Sequence, residues 1–366
     1  MAKSTPKPIS RIARLRREIK SAGLDALVVI QPVNVRYLSG FIGSYAVLVV
    51  DTSSATLITD GRYAEIAEGM VSDAKVMVQP LIKVDDWFRD FFSERGYKSL
   101  GFEGTLAWDE VERLKKRTRP SKGRLVESAS LITQLRRVKD EDEIKAIARA
   151  ARIADAMMEA AQTAARPGTP ELELSQLIRR AAEDFGGEGE SFDNIVASGP
   201  NASRPHHHPQ KRKLRAGDMI TFDLGARWNG YCSDLTRTPA LGRLDPKFEK
   251  IYTTCLRAQE AALKAIRAGA ACRDVDSAAR EIISEAGYGS YFNHGTGHGV
   301  GLEIHEGPRL NAVSEETLQS GNVVTVEPGI YIPGFGGVRI EDLVVVTDKG
   351  CRVLSKSSKT LTILPA

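Results

Sequence analysis

The chain has 366 residues, 42% apolar and 27% charged, enough for two domains with separate cores. Its net charge of +4, spread over that length, does not call for nucleic acid or acidic lipid as a partner. No run comes near the ~18 apolar residues of a membrane span, the basic N-terminus is not followed by a signal-type apolar stretch, and the four cysteines form no Cys-x-x-Cys pair, so a cytoplasmic, reducing location is expected.

In chain order, Arg11 to Ala22 reads as a basic amphipathic helix, Ala26 to Ile30 as a strand and Gln31 to Ser44 as a turn-rich segment. Val47–Val50 and Thr56–Thr59 are expected to be neighbouring strands across a Ser-Ser turn. Further strands are predicted over Lys75–Val78, Ser99–Phe102 and Arg124–Glu127, with helices over Asp86–Glu94 and Trp108–Lys116. Strands interleaved with helices make an α/β domain, placed at 8–133. None of its residues forms a catalytic constellation.

A second domain, 134–366, opens with Asp140 and Glu143 in the spacing of a capping box. Ile144, Ile147, Ala151, Ala154, Met158 and Ala161 follow at three- and four-residue steps, the apolar stripe of a long helix. Arg166-Pro-Gly168 ends it, and Thr169-Pro170 starts another helix, with Leu174, Leu177, Ile178, Ala181 and Phe185 on its core face. Arg267-Ala-Gly269 precedes a comparable helix, Val275 to Ala286.

Between these helix pairs lies the stretch with the strongest chemical signal. Asp223 sits in the apolar run Met219–Phe222 and Asp234 in Tyr231–Leu235, separated by Asn229-Gly230, the residues of a two-residue type I′ hairpin turn. If Trp228 pairs with Tyr231, Gly225 falls opposite Asp234 and Asp223 opposite Thr236, which puts both aspartates on one face about 7–8 Å apart by backbone. Two anions held that close in an apolar setting need a proton or a cation between them. Gly217–Gly225 is echoed by Gly321–Gly329, with Asp223 matched by Glu327, and Glu341 follows as the second acid of that unit. Helix pair and acidic hairpin thus occur twice, and the domain reads as an internal duplication with metals at its seam. The Gly-rich stretch His294-Gly-Thr-Gly-His298-Gly-Val-Gly-Leu-Glu-Ile-His305 adds imidazole, and carboxylates with one imidazole suit manganese, cobalt, zinc or iron(II).

Asp223, Asp234, His298, Glu327 and Glu341, together with Ser198-Gly-Pro-Asn201, Pro205-His206 and Gly337-Val-Arg-Ile-Glu341, resemble the pita-bread metallopeptidases. Within these the chain is most similar to the proline-specific branch, Xaa-Pro aminopeptidase and Xaa-Pro dipeptidase. Asn34-Val-Arg-Tyr-Leu-Ser-Gly40 and Asp60-Gly-Arg-Tyr63 resemble the creatinase-type N-terminal domain of that branch, so the likeness runs from about residue 10 to about residue 360. It implies an α/β creatinase-like domain followed by an α+β pita-bread domain with an internal pseudo-two-fold repeat. Two divalent ions, manganese first and cobalt or zinc as alternatives, are implied at Asp223, Asp234, His298, Glu327 and Glu341. Glu327 is implied as proton shuttle, His206 and His305 as groups that polarise the scissile carbonyl, His294 as a pocket histidine near the proline and Arg339 as the arginine holding a ligand carboxylate. Short proline-containing peptides are the implied substrates and a homodimer the implied assembly. Arg309, just beyond His305, is a candidate clamp for a substrate carboxylate.

Three alternatives remain at this point: a methionine-aminopeptidase-like enzyme, a metal-free creatinase-like hydrolase and a non-catalytic pita-bread interaction module. The last would use Lys211, Arg212, Lys213 and Arg215, a basic cluster without interleaved aromatics that is expected to be a solvated loop.

Overall fold

The computed structural model describes residues 10–119, 123–128, 130–243 and 245–366. The chain divides into two compact units, Met1–Arg136 and Arg137–Ala366.

In the first unit α1 (Arg11–Ser21) starts where Ser10 Oγ accepts from the Ala13 N–H, and it buries Ile12, Leu15 and Ile19. A six-stranded sheet follows from β1 (Ala26–Val29), β2 (Val47–Asp51), β3 (Ala55–Thr59), β4 (Lys75–Val78), β5 (Ser99–Phe102) and β6 (Arg124–Glu127), in the order β4-β3-β2-β1-β5-β6. Strand β1 is central, antiparallel to β2 and parallel to β5, and buried along its whole length. The helix Val84–Arg95 brings Phe88, Phe91 and Phe92 onto this sheet.

The segment 31–44 departs from its expected turn-rich character, because Pro32–Ser39 is a helix that buries Val35, Tyr37 and Leu38. Proline in a first helical turn loses no hydrogen bond, since its N–H would have no partner there. Gly40, at φ 77°, closes the helix by donating its N–H to the Arg36 carbonyl, so the two turn residues are a start and a stop. The helix Ser130–Arg137 spans both the expected domain limit at 133 and the observed division after Arg136.

In the second unit, the helix Glu141–Ala164 begins with the capping box: Asp140 accepts from the N–H groups of Asp142 and Glu143, and Glu143 accepts from Asp140. It packs with the helix Glu171–Asp184 over a three-stranded sheet made of Ile195–Ser198, Ile220–Leu224 and Leu235–Arg237. Ala154, Met158, Ala161, Leu174, Ile178 and Ala181 are buried there as the periodicity predicts. Phe185 is instead 42% exposed, because it lies beyond the last helical residue, where the period no longer turns it inward.

The second half repeats the device with the helices Pro246–Ala265 and Cys272–Glu285 against a five-stranded sheet. That sheet holds Gly297–Gly299, Glu306–Leu310, Val323–Val326, Asp342–Thr347 and Gly350–Val353. Each half has its own apolar core, one around Phe222, Leu224 and Leu235 and the other around Val324, Val326 and Val344. This is the internally repeated α+β architecture expected for the second domain. In the basic cluster, Lys211, Lys213 and Arg215 are exposed. Arg212 is not part of a solvated loop, because it binds both carboxylate oxygens of Asp218 at 2.6 and 2.9 Å.

Candidate metal centre

The first acidic hairpin has the register counted from its turn: Tyr231 pairs with Trp228, and Thr236 with Asp223. Asn229 and Gly230 sit at φ 47° and 73°, the two left-handed residues a type I′ turn requires. Gly225 lies at the break between the two ladder segments, where a Cβ would meet the Ser233 carbonyl oxygen at 2.0 Å. Only glycine permits the approach that sets Asp234 beside Asp223.

In the second hairpin Val326 pairs with Asp342 and Gly329 with Arg339. The shared register on both sides of the break places Glu327 and Glu341 opposite one another. His298 stands between Gly297 and Gly299 on a central strand, where a Cβ on either glycine would lie 2.0–2.2 Å from a carbonyl oxygen. The glycines of this stretch therefore allow close strand approach around one imidazole.

These elements bring carboxylate oxygens of Asp223, Asp234 and Glu341 within 4.8 Å of one another. His298 Nε2 lies 3.3 Å from Glu327 and 3.5 Å from Asp234. Its Nδ1 is 3.1 Å from the Gly299 carbonyl, to which only an N–H can donate, and this fixes the ring with Nε2 facing the acids. Arg339 Nη2 donates to Asp223 at 2.5 Å, Arg339 Nη1 to the Tyr331 hydroxyl at 2.8 Å and Thr236 Oγ1 to Glu341 at 2.7 Å. The other oxygens of the two acids, Asp223 Oδ1 and Glu341 Oε1, are buried with no hydrogen-bond partner among the described residues.

Burial, and after it the negative charge of Glu341, Asp223 and Glu327, holds the Asp234 carboxyl well above the usual range. Burial and the charges of Glu327 and Asp223 do the same to Glu341. Asp223 is raised less, because the Arg339 guanidinium opposes its burial. Two orphaned carboxylate oxygens, an imidazole nitrogen and two more carboxylates converge in a buried space with Arg339 as a buried countercharge. Hard divalent cations fit that donor set.

All ten residues singled out from the sequence line one cavity of about 410 Å³: Asp223, Asp234, His298, Glu327, Glu341, His206, His294, His305, Arg309 and Arg339. His206, His305 and Arg309 are exposed to it, while His294 is half-buried. The His305 ring packs edge-on against His298 at 4.4 Å; partial desolvation at that contact, followed by the charges of His298 and Arg309, lowers its pKa to about 4. His294 Nδ1 donates to the Gly295 carbonyl at 2.7 Å, so its Nε2, 2.8 Å from Tyr331, accepts the phenol proton. Burial lowers its pKa, and with both nitrogens engaged His294 offers the cavity a ring surface rather than a free donor. Arg309 pairs directly with His298 across the sheet.

Sequence reasoning missed Tyr331, which links Arg339 to His294, and the buried pair Glu171 and His207, 2.9 Å apart. Tyr331 lies four residues after Glu327 on the strand Gly329–Ile332, and that proximity was the available signal. Glu171 carries none, since its partners are 27 to 39 residues distant.

The chain matches metallopeptidase family M24 over residues 145–348 and the creatinase/prolidase N-terminal domain over 11–138. It is 37% identical to an Xaa-Pro dipeptidase of Pyrococcus furiosus over 96% of this chain and 99% of that protein. Among solved structures it is similar to an Xaa-Pro dipeptidase from Bacillus anthracis, with a TM-score of 0.93, 40% identity and coverage of 96% and 99% of the two chains. It is also similar to an X-Pro aminopeptidase from Thermotoga maritima, with a TM-score of 0.88, 32% identity and coverage of 95% and 99%.

Proposed function

The chain belongs to metallopeptidase family M24, and from that membership we propose that it hydrolyses the Xaa-Pro bond at the N-terminus of short peptides, with dipeptides as the preferred length. The observation that carries this reading is the convergence of Asp223, Asp234 and Glu341 within 4.8 Å, two of them with orphaned buried oxygens, at the wall of a cavity sized for a small peptide.

Asp223, Asp234, His298, Glu327 and Glu341 are the residues that would hold two divalent ions, manganese first and cobalt or zinc as alternatives. When bound, such ions supply Lewis acidity, which makes water nucleophilic near neutral pH and draws charge from a carbonyl oxygen. Glu327 is the proton shuttle in this scheme: its carboxylate takes the proton of the attacking water and gives it to the departing proline nitrogen. His206 and His305, which line the cavity, donate N–H groups in this scheme to the scissile carbonyl oxygen as charge develops there. The low pKa of His305 makes that donor a neutral imidazole. Arg339 holds Asp223 in orientation, and the ring of His294, fixed by Gly295 and Tyr331, presents a face suited to the pyrrolidine of proline.

Arg309 has no ion-pair partner for its guanidinium among the described residues and lies beside His298. That supports a clamp on the free carboxylate of a dipeptide. A homodimer and a reducing, cytoplasmic location complete the proposal; the four free cysteines and the lack of any helix long and apolar enough to cross a membrane among the described residues accord with that location. The test is hydrolysis of an Xaa-Pro dipeptide beside an Xaa-Pro-Yaa tripeptide with manganese added, together with metal analysis of the purified protein. Cleavage of the dipeptide by a metal-loaded protein is expected. Absence of stoichiometric transition metal, or cleavage only of peptides without proline, would overturn the reading.

A further inference from the structure

Resting on the role given above to His206, we propose that Glu171 and His207 are positioning residues that hold the loop carrying His206 at the cavity wall. Glu171 is the first residue of the helix Glu171–Asp184 and is wholly buried. Its Oε1 accepts the Ser198 N–H at 2.8 Å, the Ser198 hydroxyl at 2.5 Å and the Asn201 amide at 3.0 Å. Its Oε2 accepts His207 Nε2–H at 2.9 Å and the Gln210 N–H at 3.1 Å. Five donors on one carboxylate at a helix N-terminus keep it ionised despite its burial; its pKa lies below the usual value because the bonds from Ser198, Asn201 and His207 outweigh the desolvation.

All five donors lie in one continuous segment, from Ser198 at the end of the strand Ile195–Ser198 to Gln210 in the loop that follows it. Its far end is tied to the same helix end, where the Glu171 and Leu172 N–H groups donate to the carbonyls of Arg212 and Gln210. The base of the loop is closed by Arg212, which donates to Ser198 Oγ at 2.6 Å. All three of His206, His207 and His208 line the cavity, but His207 is only 4% exposed, with its Nε2 on Glu171, whereas His206 and His208 are exposed. Consecutive Cα atoms stand 3.8 Å apart, so a displacement of His207 carries His206 with it. A misplacement of about 1 Å at a reacting centre can cost on the order of 10²-fold in rate. His207, whose Nε2 is engaged by Glu171, thus sets where its neighbour's imidazole stands.

The test uses the full-length enzyme with manganese bound and a four-variant comparison of His207→Ala, His207→Gln, His206→Ala and the double His206→Ala/His207→Ala. His207 is varied rather than Glu171 because four of the five donors then stay in place. Expected are a loss of about 10-fold in kcat for His207→Ala with KM and manganese content little changed, and recovery of most of that loss in His207→Gln, whose amide can still donate to Glu171. The double variant is expected to be no slower than His206→Ala, since a residue acting through His206 has nothing left to position. A double variant whose loss is the product of the two single losses, or loss of manganese in His207→Ala, overturns the proposal. Full activity in His206→Ala would instead remove the assigned role of His206, an outcome separable from the other two.

Discussion

Replacing Glu341 by glutamine should stabilise the metal-free protein while abolishing its response to metal. Glu341 Oε2 accepts from Thr236, whereas its Oε1 is buried without a hydrogen-bond partner among the described residues. Carboxylate oxygens of Asp223 and Asp234 lie within 4.8 Å of it. At an effective dielectric constant of about 20, each such pair of charges repels by roughly 3.5 kcal/mol. The metal-free protein can avoid that repulsion by protonating Glu341, which from the ordinary value of 4.5 costs about 5 kcal/mol at pH 8. The glutamine amide removes the charge, keeps an oxygen for Thr236 and points N–H donors from the orphaned position toward the neighbouring aspartates. After relaxation a net gain of about 2–4 kcal/mol is reasonable, or roughly 5–15 °C in Tm for a unit of this size. Wild type should gain about 2.7 kcal/mol from manganese at 100 times its Kd, and the variant little. Thermal melts at pH 8 in chelator and in manganese should therefore show the variant above wild type in the first and no longer gaining in the second. A variant that melts below wild type in chelator would refute the account of mutual repulsion.

The same cluster gives a pH dependence. Asp234 and Glu341 have folded pKa values raised above their unfolded ones, so their contribution to metal-free stability is present below the unfolded values and is lost as pH rises through the folded ones. Melting in chelator should therefore fall from about pH 5 to pH 8, less steeply in Glu341→Gln, and a flat wild-type profile would count against it. With manganese the slope should weaken or reverse, because protons compete with the metal for the same oxygens. His206→Ala and His305→Ala should each retain metal and lose activity by roughly 10²–10³, the usual cost of a missing oxyanion donor; loss of metal in either would make that residue a ligand. Arg309→Ala should cost an Xaa-Pro dipeptide about 1.5–3 kcal/mol in kcat/KM and a tripeptide less, with equal losses on both arguing against a carboxylate clamp.

The hairpin that carries Asp223 and Asp234 was legible because its register depends only on the turn chemistry of Asn229-Gly230 and on counting by twos. The stripes of the helices Glu141–Ala164 and Glu171–Asp184 were legible for a similar reason, since local periodicity decides which side of a helix is buried. The helix Pro32–Ser39 was not, because proline and glycine punctuate a short helix with the residues that mark a turn, and burial of Tyr37 and Leu38 settles between them. Tyr331 and Glu171 act through partners far along the chain. Their meaning arises only when Arg339 and His294 meet one phenol, or when the loop from Ser198 to Gln210 folds onto one carboxylate.

The duplicated hairpins bear on how such a site could begin. Asp223 and Asp234 come from one half, His298, Glu327 and Glu341 from the other, and the bonds from Arg339 to Asp223 and from Thr236 to Glu341 cross between them. A single ancestral half would have carried two acids on one hairpin, half the charge and half the wall of a site. It could have enclosed a cation only by meeting a second copy of itself face to face. Joining the two halves in one chain makes that encounter intramolecular and lets the halves differ: one carries a short aspartate pair, the other longer glutamates and the imidazole.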